Sequence, residues 1–212
     1  MPRKIFSHVS SLSGVNRFSM YKLFHEENVL EHSGMCAKFC LILGLRCNAL
    51  WPGAMNMGIL LTKALIHDWD ESLTGDVARP TKYYSNTLRK ELANFERAGI
   101  AKLAEAFCWP ELVTLHAEAK EGPEGLLVAI ADYSCAVHRV AEETLVHHNY
   151  ALLNTAKEMG AVCKRIQEKI THVEIVEIKN MLNEWVDVLE DIRGQVTHLN
   201  KATPFQDLHN AH

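Results

Sequence analysis

At 212 residues and 48% hydrophobic content, the chain can bury one sizeable core, so a single domain is the default. A formal charge of −4 and a pI near 6.3 weigh against a protein built to coat duplex nucleic acid. No run of 18 apolar residues is free of charge (the best stretch, Cys36 to Leu50, holds Lys38 and Arg46), and the basic start Met1-Pro2-Arg3-Lys4 has no apolar segment or small-residue cleavage site behind it, so neither a transmembrane helix nor a signal peptide is expected.

The apolar pattern is helical nearly throughout, which predicts an all-α protein. A first helix is expected over Asn16 to Phe24. Asn28 is suited to cap a second, running from about Val29 to Ala49 until Trp51-Pro52-Gly53 breaks it. Met55 to His67 reads as a third helix, apolar on all sides and therefore central. Asp68 to Lys82, with Gly75 and Pro80, reads as an irregular loop. A polar helix over Asn86 to Phe107, a short one over Pro110 to Lys120 and two longer ones over Leu126 to Asn149 and Asn154 to Lys169 follow. The last, Val173 to Ile192, carries Ile175, Ile178, Leu182, Trp185, Leu189 and Ile192 at alternating steps of three and four. That stripe packs on the chain's own core or forms a dimer seam. A single domain over residues 1–194 and a polar tail over 195–212, with His209 and His212, are expected. Six cysteines without a CxxC pair fit reduced thiols in the cytoplasm.

The chemistry gathers in four fragments. His67-Asp68 ends an apolar helix, where a buried imidazole and carboxylate cost several kcal/mol (about 2–7 for a polar group without a partner). Asp132 interrupts the apolar run Leu127-Val128-Ala129-Ile130-Ala131, and His32 lies one turn inside the second helix. A divalent cation would compensate all of them, because imidazole nitrogen and carboxylate oxygen suit Mn²⁺, Co²⁺, Fe²⁺, Zn²⁺ or Mg²⁺. Competing readings stay open: Asp132 as a helix cap or a partner of Arg139, and His32 as an ordinary helical histidine. Glu71 follows His67 by four residues and lies on the ligands' side if the turn continues, where a group orienting an activated water would stand; otherwise it is a solvated acid. Cys36, one turn from His32, reads as structural, and His147-His148 as a surface pair. GxSxG, P-loop and GxGxxG motifs are lacking.

Taken in order, Asn16-Arg17-Phe18, Glu27-Asn28-Val29-Leu30-Glu31-His32-Ser33, His67-Asp68-Trp69-Asp70-Glu71-Ser72-Leu73-Thr74-Gly75-Asp76, Pro80-Thr81-Lys82-Tyr83 and Ala131-Asp132 with Glu142-Glu143 resemble the HD-domain 5′-deoxynucleotidase family of bacteria and phages over almost the whole chain. The resemblance implies an HD-domain helical bundle with His32, His67, Asp68 and Asp132 on one divalent ion and Glu71 as acid/base or water-orienting residue. It implies Arg17 at the substrate phosphate, with Phe18, Asp76 and Lys82 around the nucleotide; Arg79 is an extra cation beside the pocket, either solvated or a further substrate contact. It implies deoxyribonucleoside 5′-monophosphates as substrates and a homodimer. The family usually has Trp where this chain has Phe18, and Arg79 adds a cation that could meet a β- or γ-phosphate. A dNTP triphosphohydrolase, as in phage relatives that resemble dATP triphosphohydrolases, is the alternative. A non-catalytic HD nucleotide-binding module is the third reading.

Overall fold

The computed structural model describes residues 2–82 and 84–202, with the side chains of residues 7–78, 81, 82 and 84–199. Tyr83, the Arg79 side chain, His209 and His212 lie outside the described residues. Ten α-helices are described: α1 Pro2–Leu12, α2 Val29–Leu50, α3 Met57–Ile66, α4 Glu71–Thr74, α5 Arg79–Lys82, α6 Asn86–Phe107, α7 Leu112–Ala117, α8 Gly122–Ala141, α9 Leu153–Thr171 and α10 Val176–Ala202. One π-helical turn, Glu142–Val146, continues α8, and a 3₁₀ turn, Tyr150–Leu152, leads into α9. The described residues contain no strand beyond one bridge pairing Asn16 with Asn28, so the fold is all-α.

The chain divides into two compact units, Met1–Lys22 with Glu26–Asp132 and Leu23–His25 with Tyr133–His212. In the first, α2 starts where Asn28 and Glu31 exchange side-chain-to-backbone hydrogen bonds, a complete capping box at 2.9 and 3.1 Å. From there Val29, His32, Cys36, Cys40, Leu43 and Cys47 make one buried stripe. Gly44 lets α3 approach: a Cβ there would lie 2.6 Å from Leu60 Cδ2. By length and composition α2 could cross a membrane, yet this stripe ties it to the first unit, where Cys40 also faces the Leu127 carbonyl. A second cluster joins α3, α6 and α7 through Ile66, Ile100, Leu103, Ala104 and Leu112.

In the second unit, α9 and α10 pack through Ala156, Met159, Cys163, Ile166, Ile170, Ile178, Leu182, Val186 and Leu189. Ile178, Leu182 and Leu189 of the α10 stripe therefore serve their own unit's core, while Ile175, Trp185 and Ile192 are half-buried. Glu143 organises the unit's polar end: its buried carboxylate accepts from Phe24 N, His25 N and Asn149 Nδ2, which holds it below the usual carboxylate range although burial alone would raise it.

Several expectations change. Residues 16–24 form no helix, because their backbone bonds are made far along the chain: Arg17 N donates to Glu27 O and Val29 N to Val15 O, while Phe18 takes a left-handed φ of 55°. Helix α1 lies upstream instead, with Pro2 at its favoured first position. Helix α3 is not buried all round, since Ile59 and Leu65 are exposed. The expected loop after His67 holds two single helical turns, α4 ending at Gly75 with a φ of 72°. Helix α8 gives way at Glu142 to the π-helical turn, where His147 N donates to Glu142 O. Helix α10 runs past Gly194 to Ala202, anchored by the fully buried Val196.

Candidate metal centre

His67 is brought to the site by the end of α3, Asp68 by the turn after it, His32 by the first turns of α2 and Asp132 by α8. Four atoms, one from each, lie within 4.8 Å of one another. Nε2 of His32 is 3.2 Å from His67 Nε2, 3.4 Å from Asp68 Oδ2 and 3.3 Å from Asp132 Oδ1, and His67 Nε2 is 3.2 Å from Asp68 Oδ2. Metal–ligand bonds of about 2.0–2.2 Å put adjacent donors of an octahedron about 3 Å apart and opposite ones about 4.3 Å apart. The two imidazoles and two carboxylates therefore fit a single divalent ion. His67 is already set for it: Nδ1 donates to Ala64 O at 2.8 Å, which leaves the Nε2 lone pair facing the cluster.

The electrostatics agree. Burial alone would raise Asp68, but the adjacent His67 and His32 rings hold it well below the usual carboxylate range. Burial likewise opposes ionisation of Asp132, and Lys120 and His32 outweigh it. Lys120, in the turn before α8, places Nζ 2.5 Å from Asp132 Oδ2. Asp132 stands inside α8, not at its cap, and Arg139 pairs with Glu142 at 2.6 Å, so both competing readings of Asp132 fall away.

Glu71 opens α4, and its amide donates to Asp68 O, so the turn does continue from the ligands. Its Oε2 is buried without a hydrogen-bond partner. Burial first, then the Asp68 and Asp76 carboxylates, push its pKa up to about 10, with Arg17 opposing. Asp70 beside it accepts from His116 Nε2 of α7 at 3.0 Å.

Arg17 stands at the same cluster. Its guanidinium donates to His32 Nδ1 and lies 3.6 Å from Glu27 Oε2 and 3.9 Å from Asp132 Oδ1. Burial alone would lower its pKa, and Asp132, Asp68 and Glu27 more than reverse this. The Phe18 ring lies 5.3 Å from the guanidinium carbon, and Phe18 N donates to Asp76 Oδ2 at 2.8 Å, which braces the left-handed Phe18 backbone. Arg17, Phe18 and Asp76 thus meet at one edge of the ligand cluster. Lys82 is turned to α6, where Nζ donates to Glu96 at 3.1 Å. Lys120, Glu27 and His116 are the polar residues around the site that the sequence did not mark.

Known proteins resemble the chain in both sequence and fold. The family model described as 5′-deoxynucleotidase YfbR-like matches residues 4–189. Curated relatives include the 5′-deoxynucleotidase YfbR of Escherichia coli O127:H6 and the 5′-deoxynucleotidase of Erwinia tasmaniensis. Each is 30% identical over 177 residues, covering 80% of this chain and 88% of the relative. An HD-domain phosphohydrolase from Listeria innocua matches with a TM-score of 0.69 at 23% identity, covering 92% of this chain and 98% of its own. The HD phosphohydrolase DatZ of cyanophage S-2L, solved with dA and one catalytic Zn²⁺ ion, matches with a TM-score of 0.58 at 21% identity, over 87% of this chain and 95% of its own. The chain belongs to the YfbR-like 5′-deoxynucleotidase family, and with it to the hydrolases of the HD fold.

Proposed function

We propose that the site hydrolyses deoxyribonucleoside 5′-monophosphates to deoxynucleoside and phosphate, using one divalent ion held by His32, His67, Asp68 and Asp132. The observation that carries this is the four donors gathered within 4.8 Å beside a buried Glu71 oxygen that has no hydrogen-bond partner. A bound ion supplies a lowered water pKa and polarised phosphoryl oxygens. Imidazole and carboxylate donors suit Co²⁺, Mn²⁺ or another transition ion, with Mg²⁺ and Zn²⁺ also within their range.

Glu71 takes the proton of the attacking water and returns it to the departing 5′-oxygen. With Asp68 charged and no ion present, Glu71 is held protonated; neutralising Asp68 removes the second largest cause of that shift. Arg17 is the phosphate contact. An arginine only donates, so His32 Nδ1 accepts from it in the present arrangement; were Nε2 to hold an ion, the ring's proton would sit on Nδ1 and the Arg17 guanidinium would be left to meet an anion. Phe18 and Asp76 fix the edge where the sugar lies, and Arg79 and Lys82 complete the substrate contacts of this reading. The family match spans both units, which supports reading residues 1–194 as one phosphohydrolase domain.

Incubating the protein with Co²⁺ or Mn²⁺ and a panel of dNMPs, dNTPs and NMPs, with products separated by chromatography, tests the reaction. Inorganic phosphate from dNMPs is expected. Intact triphosphate from dNTPs would replace this reading with a triphosphohydrolase, and no turnover with any metal would leave a nucleotide-binding module.

We propose a homodimer whose surface is the exposed side of α2. Leu41, Ile42 and Leu45 are 41%, 48% and 55% exposed on that helix, whereas Ile178, Leu182 and Leu189 of the α10 stripe are buried. Sedimentation equilibrium should give a dimer for the natural chain and a monomer for Ile42→Glu; a monomeric natural chain would refute the assembly.

A further inference from the structure

We propose that Lys120 is a second phosphate-binding cation of the active site, reaching the substrate from the Asp132 side. The inference rests on the phosphohydrolase reading above. Lys120 lies between α7 and α8, twelve residues before Asp132, and the two oxygens of that carboxylate are divided between partners. Oδ1 faces His32 Nε2 at 3.3 Å, among the ligand atoms, and Oδ2 receives Lys120 Nζ at 2.5 Å. The lysine side chain is 40% exposed and that of Asp132 26%, so this edge of the cluster is not sealed from solvent.

An ammonium in that place is costly for the ion-binding step. It repels a divalent cation, and it competes for the charge of one of the ligands. A neutral donor such as glutamine would hold Oδ2 equally well without that repulsion. The positive charge gains a use only with an anion that arrives after the ion, and a phosphate monoester brings about −1.5 to −2 charges. At 2.5 Å from Asp132 Oδ2, Lys120 faces a carboxylate whose charge a bound ion would share. Three N–H donors on a flexible stem suit it to bridge Oδ2 and a phosphoryl oxygen.

Calorimetry with inorganic phosphate on the Mn²⁺-loaded protein, paired with Mn²⁺ titration of the metal-free protein, separates the two roles a lysine could have here. In Lys120→Gln, which keeps a donor to Asp132 but no charge, phosphate should bind roughly 10- to 100-fold more weakly, the range of one charge-assisted hydrogen bond. Mn²⁺ should bind as tightly as in the natural chain or more tightly. Lys120→Arg should recover most of the phosphate affinity. With dNMP as substrate, KM should rise more than kcat falls. Phosphate affinity within twofold of the natural chain would overturn the proposal. So would a loss of phosphate binding that only tracks weakened Mn²⁺ binding, since Lys120 would then merely order a ligand. Binding is read without turnover, so a natural chain that binds phosphate through Lys120 but hydrolyses no dNMP would sink the proposed reaction and leave Lys120's role standing.

Discussion

Replacing Asp68 by alanine is expected to empty the metal centre and lower dNMP hydrolysis by at least about a thousandfold, ~4 kcal/mol of barrier. Asp68 Oδ2 lies within 3.4 Å of both histidine Nε2 atoms, so it forms the shared edge of the cluster and has no substitute nearby. Removing it also removes half of the carboxylate charge that draws in a divalent ion. Asp132→Ala should empty the site as well, but it takes away the 2.5 Å acceptor of Lys120 at the same time. Asp68→Ala is therefore the cleaner variant. Metal content by atomic emission and melting with and without Mn²⁺ check the result: the natural chain should gain stability from the ion and the variant should gain none. One equivalent of tightly held Mn²⁺ together with normal turnover in Asp68→Ala would refute the ligand assignment.

Three of the four proposed ligands stand out in the sequence because they break a pattern, whereas His32 does not. His67-Asp68 ends an apolar helix, and Asp132 follows five apolar residues, so neither is explained by surface exposure. The start of α2 was legible for a related reason, since Asn28 and Glu31 stand at capping-box spacing. Lys120 breaks no pattern. It sits in the polar stretch Glu118-Ala119-Lys120-Glu121, and nothing periodic tells which of those charges turns back to a carboxylate on the next helix. Glu27 was legible only as a letter of a family string; that it is buried beside Arg17 depends on tertiary structure. The misplaced first helix has the same origin. Residues 16–24 carry a plausible helical pattern, but the bonds from Arg17 N to Glu27 O and from Phe18 N to Asp76 are made by residues 10 and 58 positions away. Local propensity is a weak prior against such contacts. They also place Arg17 and Phe18 beside the ligands, so the segment misread as regular is the one that lines the site.

Glu71→Gln should separate binding from turnover. The amide keeps the size of the side chain and touches none of the four donors, so Mn²⁺ and dNMP should bind nearly as in the natural chain. Turnover should fall by about 10²- to 10⁴-fold, the range of a general acid–base group. The natural enzyme's kcat should rise with pH through the apparent pKa of Glu71 in the loaded site, and the residual activity of Glu71→Gln should lack that limb. A second readout needs no activity. In the metal-free protein Glu71 moves from an ordinary 4.5 to about 10, chiefly through burial and then through Asp68. The folded state thus holds a proton that the unfolded state releases between those values. Its contribution to stability is complete below about pH 4.5 and is lost as pH rises towards 10. Glutamine mimics the protonated acid at every pH, so metal-free Glu71→Gln and the natural chain should melt together near pH 5 and diverge above it, with the variant the more stable at pH 8.5. Adding Mn²⁺ should shrink that gap, because the ion offsets the Asp68 charge that keeps Glu71 protonated. Identical melting of the two metal-free proteins across this range would mean that Glu71 is solvated and not a buried acid waiting for an ion. Full turnover in the variant would remove it from the chemistry.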